Sequence, residues 1–294
     1  MKSFSMNTHP VLRPYFFILF SLIASCAMAA VRVHCENCRQ KATEILEKVA
    51  AKDDPGERII LAARELAGTP TGLSVLQDTV TSACINLHEL SPLDFTSTAL
   101  AFAKAAANSR NPRYEDFAEA YVNISRRKGL DGGFASRLLY GADWTVDNVY
   151  RGNVQELTDR LPDNVFKTRS FDHFTSHRQD YAPLRNDSAA WEDVRMVEMG
   201  YRSHKVPYLR KQTITKKDIR EHISKGDIII LLGKESDRDI WDMGFIDILP
   251  SGEMRLIHSD PAGGEIKEEE VSLERFFKLA GQYFTGYRLL HPTL

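Results

Sequence analysis

Residues 85–106, INLHELSPLDFTSTALAFAKAA, constrain this chain more than any other stretch. A short apolar segment at Ile85 and Leu87 leads through Leu90, Ser91 and Pro92 into a run where Phe95, Ala99, Phe102, Ala103 and Ala106 recur at helical spacing. The joint between them reads as a helix N-terminus, with Ser91 as N-cap, Pro92 as first helical residue and Asp94 in the first turn. The positive end of a helix dipole favours a thiolate, so a helix head of this kind suits a cysteine nucleophile. The residue at this head is proline.

With 294 residues, 43% of them hydrophobic and 27% charged, the chain can bury one large core or two modest ones. The formal net charge of −2 and the lack of a basic stripe with interleaved aromatics exclude nucleic acid as a partner class. The clusters Arg126, Arg127, Lys128 and Lys216, Lys217 read as solvated faces.

Lys2 and Arg13 precede an apolar run over residues 15–25 and an Ala27, Met28, Ala29 cleavage-like site, so residues 1–29 read as a signal peptide. The apolar run is short for a membrane span. Export to the periplasm or cell envelope follows. Ile23, Ala24, Ser25 and Cys26 also match a lipobox, which would lipidate Cys26 and give the protein a membrane anchor. If Cys26 leaves with the signal, Cys35, Cys38 and Cys84 remain, in an oxidising compartment. The HCENC segment could be a redox pair, half of a zinc site with His34, a local disulfide or two idle thiols; the first two need a strand or further ligands that the sequence does not display.

Residues 30–55 therefore form an N-terminal extension with the CxxC and a first helix over 41–51, and residues 56–294 the main domain. Further helices are expected over 57–67, 113–127, 188–199, 215–224 and 272–279. Residues 73–80 fit either helix or strand. The aromatic, Arg- and Asp-rich segment FASRLLYGADWTVDNVYRG suits a site wall better than a core strand, and 153–208 read as largely irregular. KGDIIILL, DIWDMGFIDIL, MRLIHSD and residues 285–290 read as strands, with a turn at Pro250, Ser251 and Gly252. Helices first and an antiparallel meander last make an α+β domain.

The ordered segments INLHEL, FTSTALAFA, DGGFASRLLYGADW, KGDIIILL and MGFIDILPSGEMRLIHSDPAGG together resemble the N-acetylmuramoyl-L-alanine amidase-like family, a branch of the NlpC-type papain-like cysteine peptidases. The resemblance covers residues 68–290. It implies a papain-like fold with N-terminal helices packed on an antiparallel sheet, and an ancestral cut between N-acetylmuramic acid and L-alanine. The family reads Asp-Cys-x-Thr-Phe at the helix head, and this chain has Ser91, Pro92, Leu93, Asp94 and Phe95 there. The family's basic histidine lies in Ser-His-x-Gly-Phe, matched by Trp241, Asp242, Met243, Gly244 and Phe245. A third polar member, in Leu-His-Ala-Ser, is kept as His258, and a site tyrosine after Gly-Thr-Pro is replaced by Thr71.

Acyl transfer needs a nucleophile, a base and a group to orient the base. The resemblance thus implies a cell-wall amidase homologue that has lost its chemistry and still binds a muropeptide or peptidoglycan fragment. Ser136, Arg137, Tyr140, Asp143 and Trp144 are the candidate binding residues; their alternative is scaffold, with an Arg–Asp pair across a turn and Trp144 in the core. Two other functions stay open. One is an active amidase with a displaced nucleophile, Ser91 or Ser97 with His258 and Asp242, or with a metal on Asp94, Asp242, His258 and Asp260. The other is an interaction protein whose cleft is closed by Leu93, Met243 and Trp241 and whose partner is an envelope protein. No cofactor is implied.

Overall fold

The computed structural model describes residues 32–33, 37–78, 83–127, 132–234 and 239–294. The signal segment with Cys26, and His34 and Cys35 of the CxxC, lie outside them. A mixed α+β architecture results, with helices first and an antiparallel sheet after, as the apolar patterning predicts.

Strand β1 (Arg32–Val33) pairs in parallel with β2 (Cys84–Ile85). Helix α1 (Cys38–Ala50) buries Ala42, Ile45, Leu46 and Val49, and these join the same core as the rest of the chain. Cys38, at its first residue, is disulfide-bonded. Asp54 caps α2 (Pro55–Glu65) by accepting from Glu57 N at 2.8 Å. Past α2 the chain is held on both sides: Gly68 N donates to Ile266 O and Thr71 N to Gly264 O, both at 2.8 Å, while Leu90 N donates to Pro70 O at 3.0 Å. These bonds bring Thr71 beside the head of the next helix.

That helix is α3 (Pro92–Asn108), and it sits in the middle of the core. The single apolar face read from the sequence becomes a helix buried almost all round, because α1, α2, α4 (Tyr114–Ser125) and a sheet strand each cover a side. Thr96, Ser97 and Thr98 are buried with the alanines. Phe102 stacks on Phe117 of α4 with ring centroids 4.0 Å apart, and Phe95 meets Phe245 edge-on at 5.7 Å.

After a 3-10 turn at Phe134–Ser136, the segment expected to be a site wall forms α5 (Gly141–Tyr150). Next come β3 (Val154–Glu156), β4 (Asn164–Arg169), α6 (His173–Ser176), α7 (Ala182–Arg185), α8 (Ser188–Gly200) and β5 (His204–Arg210). Residues 153–208 are therefore not mainly irregular. The helix expected over 215–224 shrinks to a 3-10 turn and α9 (Lys217–Arg220). The last part is β6 (Ile228–Gly233), β7 (Ile240–Ile248), β8 (Met254–His258), β9 (Lys267–Glu268), α10 (Leu273–Ala280) and β10 (Phe284–Pro292).

Eight strands make one sheet in the order β4-β5-β10-β6-β7-β8-β9, with β3 also paired to β10. Every pairing in it is antiparallel. The apolar run of β6 is buried on both faces: Ile228, Ile230 and Leu232 enter the helical core, and Ile229 and Leu231 enter a second core with Phe276, Phe277 and Tyr287. A strand buried on both faces has no polar face to alternate.

Gly244 sits where β7 and β8 pair most closely. An added Cβ would run into the Ile257 carbonyl and stand 2.9 Å from His258 Cα. Neither atom can retreat without opening the ladder. Gly244→Ala is expected to lower the urea unfolding free energy by about 3 kcal/mol; an unchanged midpoint and slope would show that the two strands are farther apart in solution.

Candidate functional site

The head of α3 opens onto a cavity of about 390 Å3, within the usual size range of small-molecule pockets. Ser91, Pro92, Leu93, Asp94 and Ser97 form one wall. Facing them are Thr71, Trp241 and Ser259 on the sheet side, and Arg126, Arg137, Tyr140 and Trp144 on the helical side. The cavity is open although Leu93 and Trp241 border it, and Met243 is buried in the core.

The helix head is satisfied from within. Ser91 Oγ accepts from Asp94 N at 3.1 Å and donates to Asp94 Oδ2 at 2.6 Å, and Tyr121 OH donates to Asp94 Oδ1 at 3.3 Å. Ser97 Oγ accepts from Trp144 Nε1 at 2.9 Å. Both hydroxyls suggested as displaced nucleophiles thus serve helix capping and packing, as an N-cap serine ordinarily does. Pro92 contributes neither a nucleophile nor an N–H.

The imidazole is also held. His258 ends β8 with Nδ1 at 2.5 Å from Asp242 Oδ2 and Nε2 at 2.9 Å from Glu269 Oε1. Asp242, on β7, accepts as well from Ser259 Oγ at 2.5 Å and from Met243 N at 2.7 Å. His258 is 1% exposed and Asp242 0%. Burial alone would lower the His258 pKa, but Asp242 first and Glu269 second outweigh it and raise the value from 6.5 to about 9. At neutral pH a value of about 9 keeps the ring protonated, with a carboxylate beside each nitrogen and no lone pair to take a proton. Lys267 extends the cluster, 2.8 Å from Asp260 and 3.0 Å from Glu269.

The four residues weighed as metal ligands are not gathered: Asp94 belongs to the helix head and the other three to the His258–Lys267 cluster. Among the described residues no group of His, Cys, Asp and Glu side chains is placed to hold a metal ion.

Of the binding candidates, Arg137, Tyr140 and Trp144 line the cavity. Ser136 and Asp143 face inward instead. Ser136 Oγ accepts from Arg126 Nη1 at 2.9 Å and donates to Gly133 O at 2.8 Å. Asp143 accepts the Arg127 fork at 2.7 and 2.6 Å and Tyr201 OH at 2.9 Å. A fully buried carboxylate needs such partners, and Asp143 finds them in Arg127 and Tyr201 rather than in Arg137, the arginine of the scaffold alternative. Tyr140 OH donates to Glu198 at 2.7 Å, leaving its ring as the surface the cavity sees.

Arg126 and Arg127 are consequently not a solvated face: Arg126 is buried and lines the cavity, and Arg127 is committed to Asp143. Lys128 lies outside the described residues. Lys216, in contrast, makes a surface pair with Asp163 at 2.5 Å. Sequence reasoning also passed over Asp239, which holds the head of α5 by accepting from Gly141 N at 3.0 Å and from Ala142 N. Gly141 is required there, because a Cβ would strike the Ile240 side chain. No local signal marks this cap, since its two halves are 98 residues apart.

A sequence model of a family described as AmiA-like, N-acetylmuramoyl-L-alanine amidase-like, matches residues 62–277. Among solved structures, an N-acetylmuramoyl-L-alanine amidase from Bacteroides uniformis superposes with a TM-score of 0.70 at 22% identity, over 82% of this chain and 99% of that one. A Bacteroides fragilis protein provisionally called a xylanase gives 0.67 at 25% identity, over 78% and 99%. A Legionella pneumophila protein gives 0.66 at 14% identity, over 87% and 94%. No curated protein sequence matches the chain significantly.

The His258 cluster makes stability depend on pH with a definite sign. The folded pKa of about 9 lies above the ordinary 6.5, so the native state binds the extra proton between those values. The contribution, on the order of 3 kcal/mol, is complete below the lower value and disappears as pH rises through the upper one. Urea titrations from about pH 6 to about pH 10 should show this loss in the wild type and not in His258→Gln. Parallel pH profiles for the two proteins would refute the raised pKa.

Proposed function

Because the chain belongs to the N-acetylmuramoyl-L-alanine amidase-like family, we propose that it is a cell-wall amidase homologue that binds an anionic peptidoglycan fragment without cleaving it. The observation that carries this reading is the pairing of an open cavity with a locked imidazole. The cavity persists at the helix head, while His258 is held between Asp242 and Glu269 with both nitrogens engaged. In the papain-like arrangement implied by the sequence resemblance, Pro92 stands where the nucleophile would be and Asp242 where the base would be. Acyl transfer by that route then lacks both its attacking atom and its proton acceptor.

The cavity's shape favours a ligand over a purely structural role. Arg126 and Arg137 bring positive charge to it, Tyr140 and Trp144 border it from the core at 2% and 0% exposure, and no described residue fills the space between them. Sugar rings and anionic stem peptides have the complementary chemistry. A protein–protein scaffold would be better served by a cleft closed by Leu93 and Trp241, which instead stand at its border. The reading takes residues 1–29 as an export signal and so puts the protein in the bacterial envelope, where such fragments occur.

Two measurements test this. Purified sacculi incubated with the wild type should release no stem peptide by mass spectrometry, whereas the Pro92→Cys, Asp242→His double variant should release it. Release by the wild type, lost in His258→Ala, would overturn the claim of inactivity. Isothermal titration with the L-Ala-γ-D-Glu-meso-diaminopimelate tripeptide and with its disaccharide-linked form should give saturable binding; no heat and no thermal shift at millimolar ligand would end the binding claim.

A further inference from the structure

Two arginines in the cavity wall carry an inference about what the ligand must present. Arg126 directly follows α4, and Arg137 directly follows the 3-10 turn at Phe134–Ser136. An antiparallel bridge sets the two opposite each other, flanked by Arg127 N donating to Ser136 O at 2.6 Å and Leu138 N to Ser125 O at 3.2 Å. Residues opposed in an antiparallel pair put their side chains on the same side, and like charges so opposed are destabilising.

Both arginines are 7% exposed, and both line the cavity. Arg126 donates through Nη1 to Ser136 Oγ, a neutral partner. Arg137 has no side-chain hydrogen bond or ion pair among the described residues; its guanidinium carbon lies 6.0 Å from the Phe134 ring centre. Two other arginines withdrawn from solvent have a carboxylate, Arg127 with Asp143 and Arg288 with Glu156, while Arg169 donates to the Gly233 carbonyl. Asp94, on the facing wall, has its oxygens on Ser91 and Tyr121 and makes no ion pair with either arginine among the described residues. Burial first, and Arg137 second, depress the Arg126 pKa from 12.5 to about 10, with Tyr121 and Asp94 acting in the opposite direction without cancelling them. Ser125 Oγ, also on the cavity wall, is buried without a hydrogen-bond partner.

We propose that Arg126 and Arg137 clamp a free carboxylate of the bound molecule, with Ser125 Oγ as a third contact, so that the site selects acids over their amides. The proposal rests on the ligand-binding reading of this cavity and narrows it. A carboxylate placed between the two guanidiniums replaces their repulsion with two charge-assisted hydrogen-bonding arrangements and satisfies the serine. Neutral sugars and fully amidated peptides leave the repulsion in place. The carboxylate can come from a stem peptide or from the lactyl group of a muramic acid, and the chemistry at the clamp is the same.

The test compares the L-Ala-γ-D-Glu-meso-diaminopimelate tripeptide, N-acetylmuramic acid and glutarate, each against its carboxamide, by calorimetry and thermal shift. At least one acid should bind, its amide about 10-fold or more weaker, and Arg137→Gln should lose about 10-fold or more for the acid while leaving the amide unchanged. Unliganded Arg137→Gln should melt no lower than the wild type, since removing one charge relieves the other; Arg137→Lys, which keeps the charge and loses the fork, serves if Gln disturbs folding. The tripeptide arm and the N-acetylmuramic acid arm distinguish the two carboxylate sources. If acid and amide of the tripeptide bind equally, the clamp is wrong and the muropeptide reading stands. If only glutarate binds, in an Arg137-dependent way, the clamp stands and the muropeptide reading falls. Arg137→Gln that binds acids as tightly as the wild type, or that merely melts lower, overturns the clamp.

Discussion

Helix α3 touches protein on nearly every side, and the rest of the architecture follows from that burial. Its Phe95 and Phe102 pack on the sheet and on α4, and truncating either to alanine in such a core typically costs about 3–5 kcal/mol. This packing fixes the place of its N-terminus, which opens onto the cavity. The orphan amides at its head must be satisfied from within, which is what Ser91 does, and Pro92 removes one amide from the requirement. The cavity floor is thus held by packing rather than by any bound molecule.

Behind the opposite wall runs a chain of alternating charge. Asp242, His258, Glu269, Lys267 and Asp260 follow one another as anion, cation, anion, cation and anion, across β7, β8 and the end of β9. Buried ion pairs recover their desolvation cost only when the remaining donors and acceptors are also used. Ser259 Oγ and Met243 N on Asp242 do this. Such a chain explains why an imidazole behind a wall of this kind can be structural: each carboxylate that stabilises the imidazolium raises its pKa, so at neutral pH the ring already carries its proton and has no lone pair left to accept another.

Much of this was legible in the sequence, and what was hidden has identifiable causes. The cap of α3 was legible because Ser, Pro and Asp at N-cap, N1 and N3 state a helix start locally, and β6, β7, β8 and β10 because long apolar runs leave few alternatives. Strands β4 and β5 were not, because β4 lies at the sheet edge and is mostly half-exposed, which erases the alternation. Helix α5 begins at a glycine and is capped by Asp239 from far along the chain, so no local start signal exists. In the site, Arg137, Tyr140 and Trp144 border the cavity while Ser136 and Asp143 turn away from it, a difference of direction that residue type alone does not carry. Arg126 was concealed by its neighbours. Three consecutive basic residues look like a solvated face until a bridge to Arg137 turns the first one inward.

The two halves of the site are built from different elements, and this bears on how one can change without the other. Reactive groups in this architecture would come from the head of α3 and the adjoining ends of β7 and β8. Charge recognition comes from the exit of α4 and the turn before α5. No hydrogen bond or ion pair among the described residues joins the Arg126–Arg137 bridge to the Asp242–His258 pair. Sites without shared partners respond to substitution nearly independently. The identity of the residues at positions 92 and 242 therefore leaves the arginine bridge, and the electrostatic need it creates, untouched. An opposed pair of buried like charges is a standing cost in the unliganded protein, and without an anion to offset it the same substitutional freedom that could remove a nucleophile could also remove one of the arginines.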